Sequence, residues 1–132
     1  MLVASLAGVV PVPYQTAYSA TKAFLVTFAT GLHHEMHGRS VSITTFVPGG
    51  IQTEMTSGDR FGPLQSWLMP VEPCAREALD AFVKRRAMYV PGALNRVGTT
   101  LVRFLPQSFV VGRVAATYRK ALSKSAALGQ RS

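Results

Sequence analysis

The stretch Tyr18-Ser19-Ala20-Thr21-Lys22-Ala23-Phe24 opens the longest helical pattern in the chain. Apolar residues continue at three- and four-residue spacing as far as Met36, and a glycine follows at position 38, which predicts a helix over residues 17–37. Residues four apart share one face of a helix, so the ammonium of Lys22 is expected beside the phenol of Tyr18. A neighbouring cation favours the phenolate form, which makes a phenol a better proton donor.

Two predicted strands flank this helix. Residues 2–4 are apolar, and residues 41–47 are rich in β-branched side chains. A strand, a helix and a second strand in this order imply a right-handed crossover with parallel strands. A further helix is predicted over residues 70–86 and a third strand over residues 88–90, so the fold class is α/β with three parallel strands. The apolar face of the second helix is expected to contain Ala75, Ala78, Leu79 and Phe82.

Polar residues and glycines follow both of the first two strands. Ser5 comes directly after the first strand, thirteen residues before Tyr18, and the run Pro48-Gly49-Gly50-Ile51-Gln52-Thr53 follows the second. Open α/β sheets bind their ligands beyond the carboxyl ends of their strands. A functional site is therefore predicted at this edge of the sheet.

In order and spacing, Ser5-Leu6-Ala7-Gly8, the Tyr18 stretch and the run from Pro48 to Thr53 together resemble the short-chain dehydrogenase/reductase family. The resemblance extends from about residue 2 to residue 92. It implies that this unit is the C-terminal part of a Rossmann-like, doubly wound parallel sheet. It also implies an NAD(P)-dependent oxidoreductase that transfers a hydride between nicotinamide and an alcohol or ketone.

The resemblance further implies a role for each matching residue. Tyr18 would be the general acid/base, and Lys22 would assist it and hydrogen-bond the nicotinamide ribose. Ser5 would donate a hydrogen bond to the substrate oxygen. Tyr18 and Lys22 would share the binding of NAD or NADP with four further positions: Pro48, Gly49, Ile51 and Thr53. A structural alternative exists for three of these residues, because Ser5 could simply end a strand, Lys22 could be solvated and Thr53 could cap a helix.

The glycine-rich turn on which this family binds the dinucleotide pyrophosphate has no counterpart in the sequence. We therefore expect the chain to correspond to the C-terminal half of such an enzyme and to be inactive on its own. An intact parent is expected to form a homo-oligomer. The alternative is a catalytically inactive polypeptide that acts as an interaction or peripheral membrane module.

Residues 54–69 separate the second strand from the second helix and are apolar without clean periodicity. The resemblance implies that this segment is a substrate lid, with Trp67 as its best candidate. The predicted substrate is then a small apolar alcohol or ketone. The alternative is that these side chains only cover the sheet.

Residues 93–132 are predicted to form a separate basic, helical extension and tail. All six acidic residues lie between Glu35 and Asp80, whereas ten of the fourteen basic residues lie from Lys84 onward. Two amphipathic helical patterns, separated by Pro106, either pack on the parent domain or lie on an anionic membrane through residues 93–122. Packing is the favoured interpretation. Nucleic acid is not an expected partner, because no aromatic platform is interleaved with the basic residues.

The composition of the 132 residues, 48% hydrophobic and 15% charged, is typical of a globular chain. No apolar run reaches the ~18 residues that a membrane span needs. The single cysteine, Cys74, has no disulfide partner, which is consistent with a cytoplasmic protein. His33 and His37 lie one helical turn apart, but no third ligand is evident and no metal site is predicted.

Overall fold

A computed structural model of the chain describes residues 1–53 and 68–129, with the backbone alone for residues 121–129. Three short strands form one parallel sheet in the order β1-β2-β3. Their bounds are Leu2–Val3 for β1, Thr45–Phe46 for β2 and Met88–Tyr89 for β3. The predicted α/β fold and the parallel strand order are confirmed.

Four helices accompany the sheet: α1 (Thr16–Glu35), α2 (Val71–Val83), α3 (Ala93–Val102) and α4 (Gln107–Gly129). The first two are the crossovers that join β1 to β2 and β2 to β3, as parallel pairing requires. Pro73 lies in the first turn of α2, where a missing N–H costs nothing. Proline at position 106 separates α3 from α4, because proline disfavours helical backbone in the residue before it.

The second strand is shorter than the predicted range 41–47. Its ladder with β1 begins where Leu2 donates to the carbonyl of Thr44 at 2.9 Å, and its ladder with β3 begins at Thr45. The carbonyl of Ile43 instead lies 2.6 Å from Nδ1 of His33. Residues before Thr44 therefore run outside the ladder despite their β-branched composition.

The core lies between the sheet and α2, where Phe46, Cys74 and Ala78 are buried together. The buried face of α2 consists of Cys74, Ala78 and Ala81, so the prediction was right for Ala78 only. The other three predicted positions, Ala75, Leu79 and Phe82, are exposed. Helix α2 carries two apolar faces at helical spacing, and the one with smaller side chains allows the closer approach to the sheet.

Helix α1 likewise turns small residues inward. Ala29 and Ser19 are its buried residues, whereas Phe24 and Phe28 are exposed and stack on each other with their ring centroids 5.6 Å apart. Val3 on the edge strand β1 is also half exposed. Large apolar side chains therefore lie on the outer surface of both elements.

Candidate active site at the carboxyl ends of the strands

Ser5 leaves β1 with an extended backbone and begins a 3₁₀ turn over Leu6–Gly8. Its Oγ accepts a hydrogen bond of 3.2 Å from the N–H of Ala7, which leaves the hydroxyl proton of Ser5 free of that bond. The N–H of Leu6 donates to the carbonyl of Pro48 at 2.9 Å, which extends the ladder beyond β2. Ser5 is therefore fixed at the carboxyl edge of the sheet, as predicted.

Gly8 holds the loop after Ser5 against α1. A Cβ atom at Gly8 would lie 2.5 Å from the carbonyl carbon of Lys22 and 2.6 Å from its oxygen, so only glycine fits. A second contact holds the same loop close to α1, because Oγ of the buried Ser19 accepts a 3.0 Å hydrogen bond from the N–H of Val12. Both contacts lie within one helical turn of Tyr18.

Lys22 and Tyr18 occupy the same face of α1. The Nζ atom of Lys22 lies 5.7 Å from the centroid of the Tyr18 ring and donates a 3.1 Å hydrogen bond to the carbonyl of Val3. The lysine therefore reaches from the tyrosine to the end of β1, two residues before Ser5. Tyr18 is 46% exposed, so a ligand in solution can reach it.

The segment after β2 packs with little space around its two glycines. A Cβ atom at Gly49 would lie 3.0 Å from Nδ2 of Asn95 and 3.3 Å from Cδ1 of Leu6, and one at Gly50 would collide with the side chain of Leu68. Ile51 then forms a parallel bridge with Met69, which fixes the segment from Pro48 to Thr53 along the same edge of the sheet. The neighbouring lid candidate Trp67 lies outside the described residues.

The structure thus brings the predicted residues to one edge of the sheet. Ser5 is placed there by β1, Tyr18 and Lys22 by α1, and the segment starting at Pro48 by β2. The catalytic and cofactor-binding roles of these residues stay predictions.

One neighbour of this site was missed by the sequence analysis. Tyr118 on α4 is half-buried, and its hydroxyl accepts a 3.4 Å hydrogen bond from Nε2 of Gln15. Burial raises the pKa of Tyr118, and the charge of Tyr18 raises it further. The signal available in the sequence was that Tyr118 continues the four-residue spacing of Val110 and Val114, which are also half-buried on α4.

A small, mostly apolar cavity, whose lining also includes Arg103 and Gln107, lies beside the loop that follows Ser5. Its volume is about 160 Å³. Its apolar lining comes from Val9, Val10, Pro11, Val102, Leu105 and Val110. Helix α4 therefore packs on the candidate site through its half-buried face.

Other polar candidates are accounted for by local contacts. Nδ1 of His33 lies 2.6 Å from the carbonyl of Ile43, and Cys74 is buried, which together with the charge of Glu77 raises the pKa of its thiol. Among the residues that the structure describes, no group of three or more His, Cys, Asp or Glu side chains could hold a metal ion. Over the same residues, no helix is both long and apolar enough to cross a bilayer.

Residues 1–61 match the family model described as short chain dehydrogenase. This match and the similar proteins together support membership of the short-chain dehydrogenase/reductase family for the matched part of the chain.

Similar proteins align with most of this chain, but the aligned residues make up a smaller share of their own length. Estradiol 17-beta-dehydrogenase 2 of Mus musculus is 35% identical over 82 residues, which are 62% of this chain and 19% of that protein. The NADPH-dependent 1-acyldihydroxyacetone phosphate reductase of Saccharomyces cerevisiae is 33% identical over 84 residues, which are 64% of this chain and 26% of that protein.

A solved structure confirms the Rossmann-like fold. The structure of a 7beta-hydroxysteroid dehydrogenase superimposes with a TM-score of 0.72 at 20% identity. The match covers 85% of this chain and 45% of that chain. The chain therefore spans less than half the length of each of these three proteins.

Proposed function

We propose that this chain supplies the proton-transfer residues of an NAD(P)-dependent oxidoreductase that acts on an apolar alcohol or ketone. The observation that carries the proposal is the placement of Lys22 beside Tyr18, on a helix that Gly8 holds against the loop of Ser5. The relatives named for estradiol and for NADPH support the substrate class and the cofactor class.

Each residue has a separate task in the proposed reaction. The hydroxyl of Ser5 donates a hydrogen bond to the substrate oxygen and fixes its position. In the reducing direction, the Tyr18 hydroxyl gives its proton to that oxygen as the carbonyl carbon gains a hydride, and the product is an alcohol. The Lys22 ammonium stabilises the phenolate that remains. The oxidising direction reverses each transfer.

The chain fits the nicotinamide end of the cofactor, which when bound would supply or accept the hydride. The Lys22 ammonium provides hydrogen-bond donors for ribose hydroxyls, since one carbonyl contact leaves two of its three protons available. The backbone from Pro48 to Thr53 runs along the same edge of the sheet. These groups would hold the nicotinamide riboside, and Tyr18 would face the same space.

The apolar part of the substrate is proposed to lie in the cavity beside Val9 and Val10. At about 160 Å³ it is smaller than the ~300 Å³ typical of a complete ligand pocket, so it would hold only one end of a large substrate. The Tyr118 side chain from α4 approaches the same region and would border the substrate oxygen.

The proposal is tested by titrating the full chain with NADPH and following the fluorescence of its single tryptophan. Saturable quenching that Lys22→Met weakens, and that the matched variant Lys84→Met leaves unchanged, is the expected result. Lys84 is a suitable control because it is an exposed lysine paired with Asp80, at the end of α2. Quenching that never saturates, or that responds equally to both variants, would contradict the proposed cofactor site.

A further inference from the structure

Helix α3 exposes its apolar face to solvent. Leu94, Val97 and Leu101 follow one another at helical spacing, and each is more than half exposed. Phe104, directly after the helix, is 83% exposed. We call these four residues the α3 stripe. Two further exposed side chains, Leu105 and Phe109, continue it into α4.

Two polar residues of α3, Asn95 and Thr99, face the body of the protein instead. Asn95 is half-buried, donates to the carbonyl of Pro91 at 3.2 Å and lies against Gly49. Thr99 is also half-buried and donates to the carbonyl of Asn95 at 2.7 Å.

Amphipathic surface helices normally bury their apolar stripe against the core. In α3 this holds for Val102, which lines the cavity beside Val9. Leu94, Val97 and Leu101 are exposed, so the favoured expectation that this helix packs its apolar face on the domain is wrong for these three side chains.

An arginine-lined groove of about 270 Å³ runs beside the stripe, between β3 and α3. Arg86, Arg96 and Arg103 line it, together with Thr99 and Thr100. Arg96 is held in place by a 3.2 Å hydrogen bond to the carbonyl of Val90 and by the ring of Tyr89, whose centroid is 4.8 Å away.

Positive charge exceeds negative charge around this groove. Among the described residues, Glu77 is the acidic group that contacts an arginine of the groove, with Oε2 3.4 Å from Arg96, and it balances one of the three guanidinium groups. No acidic residue follows Asp80 in the sequence. The complementary partner is therefore anionic, and the exposed stripe requires that it also be apolar.

We propose that α3 is a docking surface for an anionic phospholipid membrane. The α3 stripe inserts between the lipid headgroups and the upper acyl chains, while Arg86, Arg96 and Arg103 bind lipid phosphates in the groove. Binding is peripheral, and α3 lies in the plane of the interface with its backbone hydrogen bonds intact. A protein partner would have to offer acidic groups around an apolar surface, whereas an anionic membrane presents both chemistries over any area.

The test is co-sedimentation of the full chain with vesicles of phosphatidylcholine alone and of phosphatidylcholine mixed with phosphatidylserine. The stripe variant is Leu101→Ser with Phe104→Ser. Its matched control is Leu79→Ser with Val83→Ser on α2, because those side chains are 62% and 77% exposed, against 59% and 83% for the stripe pair. Circular dichroism verifies that both variants keep their helices.

The expected result is binding that needs phosphatidylserine, is lost in about 1 M salt and weakens at least about tenfold in the stripe variant. The control variant should bind like the unchanged chain. Arg86→Gln with Arg103→Gln should weaken binding on the order of 25-fold, since each arginine at an anionic surface contributes roughly fivefold. Arg113→Gln with Arg119→Gln on α4 should weaken vesicle binding less, because these two arginines do not line the groove.

Three outcomes would overturn the proposal. The first is no sedimentation with phosphatidylserine vesicles even at about 0.01 M salt, where surface electrostatics is strongest. The second is binding that the stripe and control variants weaken equally. The third is a stripe variant that changes the oligomeric state of the chain in size-exclusion chromatography but not its vesicle binding, which would show that the α3 stripe is a protein contact.

Discussion

The hydroxyl of Tyr118 on α4 accepts a hydrogen bond from Gln15, three residues before Tyr18 on α1. This contact joins residues 103 positions apart in the sequence. It fastens the basic C-terminal helix over the start of the helix that carries the candidate proton donor. The C-terminal extension is therefore part of the wall around the candidate site.

Replacing Tyr118 by Phe should lower the free energy of unfolding by about 0.5–1 kcal/mol, the usual net value of a neutral hydrogen bond. Tyr118→Ala should cost more, because the half-buried ring is also lost. Urea denaturation measures both effects. Tyr14→Phe is the control, since Tyr14 is an exposed tyrosine next to the same helix. Equal effects of Tyr14→Phe and Tyr118→Phe would argue against the contact.

Tyr18→Phe should lower turnover by roughly 100- to 10,000-fold in an active form of the proposed oxidoreductase, while NADPH binding stays close to normal. The ring and its contact with Lys22 remain, and only the proton is lost. Lys22→Met should weaken both cofactor affinity and rate. Steady-state kinetics together with a binding titration separates the two. Near-normal turnover by the Tyr18→Phe variant would remove Tyr18 from its proposed role.

Gly8→Ala should destabilise the fold by about 1–3 kcal/mol, because the new Cβ collides with the backbone of Lys22 and forces the loop away from α1. Gly31→Ala on the same helix is the matched control, since no atom lies within 4 Å of its Cβ position. That change should stabilise the chain by up to about 1 kcal/mol through helix propensity. Thermal unfolding of the two variants should therefore shift in opposite directions.

Thr44→Val and Thr45→Val should each stabilise the protein by about 1 kcal/mol. Within the part of the chain that the structure describes, both hydroxyls are buried without a hydrogen-bond partner. Replacement by the isosteric valine removes the cost of that desolvation. Thr30→Val provides the contrast, because the Thr30 hydroxyl donates a 2.7 Å hydrogen bond to the carbonyl of Val26. Denaturant midpoints that do not rise for either strand variant would contradict this reading.

Stability should fall as the pH rises above about 9. Burial, followed by the charge of Glu77, raises the pKa of Cys74 above its ordinary 9.0. Burial and the 3.0 Å hydrogen bond to Glu77 raise the pKa of Tyr89 above 10.0. Burial also raises the pKa of Tyr118.

The sign follows from proton binding. Above the unfolded pKa of each group the unfolded chain has lost a proton that the folded chain keeps, so unfolding becomes more favourable with rising pH. Urea denaturation between neutral pH and pH about 10 measures the slope, and Cys74→Ala should reduce it. A slope of zero over this range, or one that Cys74→Ala leaves unchanged, would contradict the assignment to the buried thiol.

The sequence predicted the architecture well because periodicity and strand order are local or topological properties. The α1 helix, the parallel order of three strands and the placement of Ser5 at the carboxyl edge of the sheet follow from spacing and chirality, whereas the placement of Lys22 in the same site was implied by the family resemblance. The predicted site residues share that edge, although their chemistry, the choice of NAD or NADP and the oligomeric state stay predictions.

The spacing of apolar residues did not predict the buried face of a helix where two of its faces were both apolar. On α2, Ala81 is buried while Leu79 is exposed. On α1, Ala29 and Ser19 are buried while Phe24 is exposed. Hydrophobicity favours burial of the larger side chain, but close packing of a helix on a sheet favours burial of the smaller one. Tyr118 was missed for a different reason: its spacing on α4 could indicate its burial, but its contact with Gln15 spans 103 positions and no local pattern encodes that contact.

The bond from Lys22 to the carbonyl of Val3 links the ammonium to the outer border of the sheet. Leu2 and Ala4 donate toward β2, so the peptide groups of Val3, between them, point the opposite way. A strand that pairs along this border competes with Lys22 for the same carbonyl. If the sheet gained one strand there, Lys22 would be released from the carbonyl of Val3 toward Tyr18. Pairing of the new strand and release of the lysine would then be thermodynamically coupled.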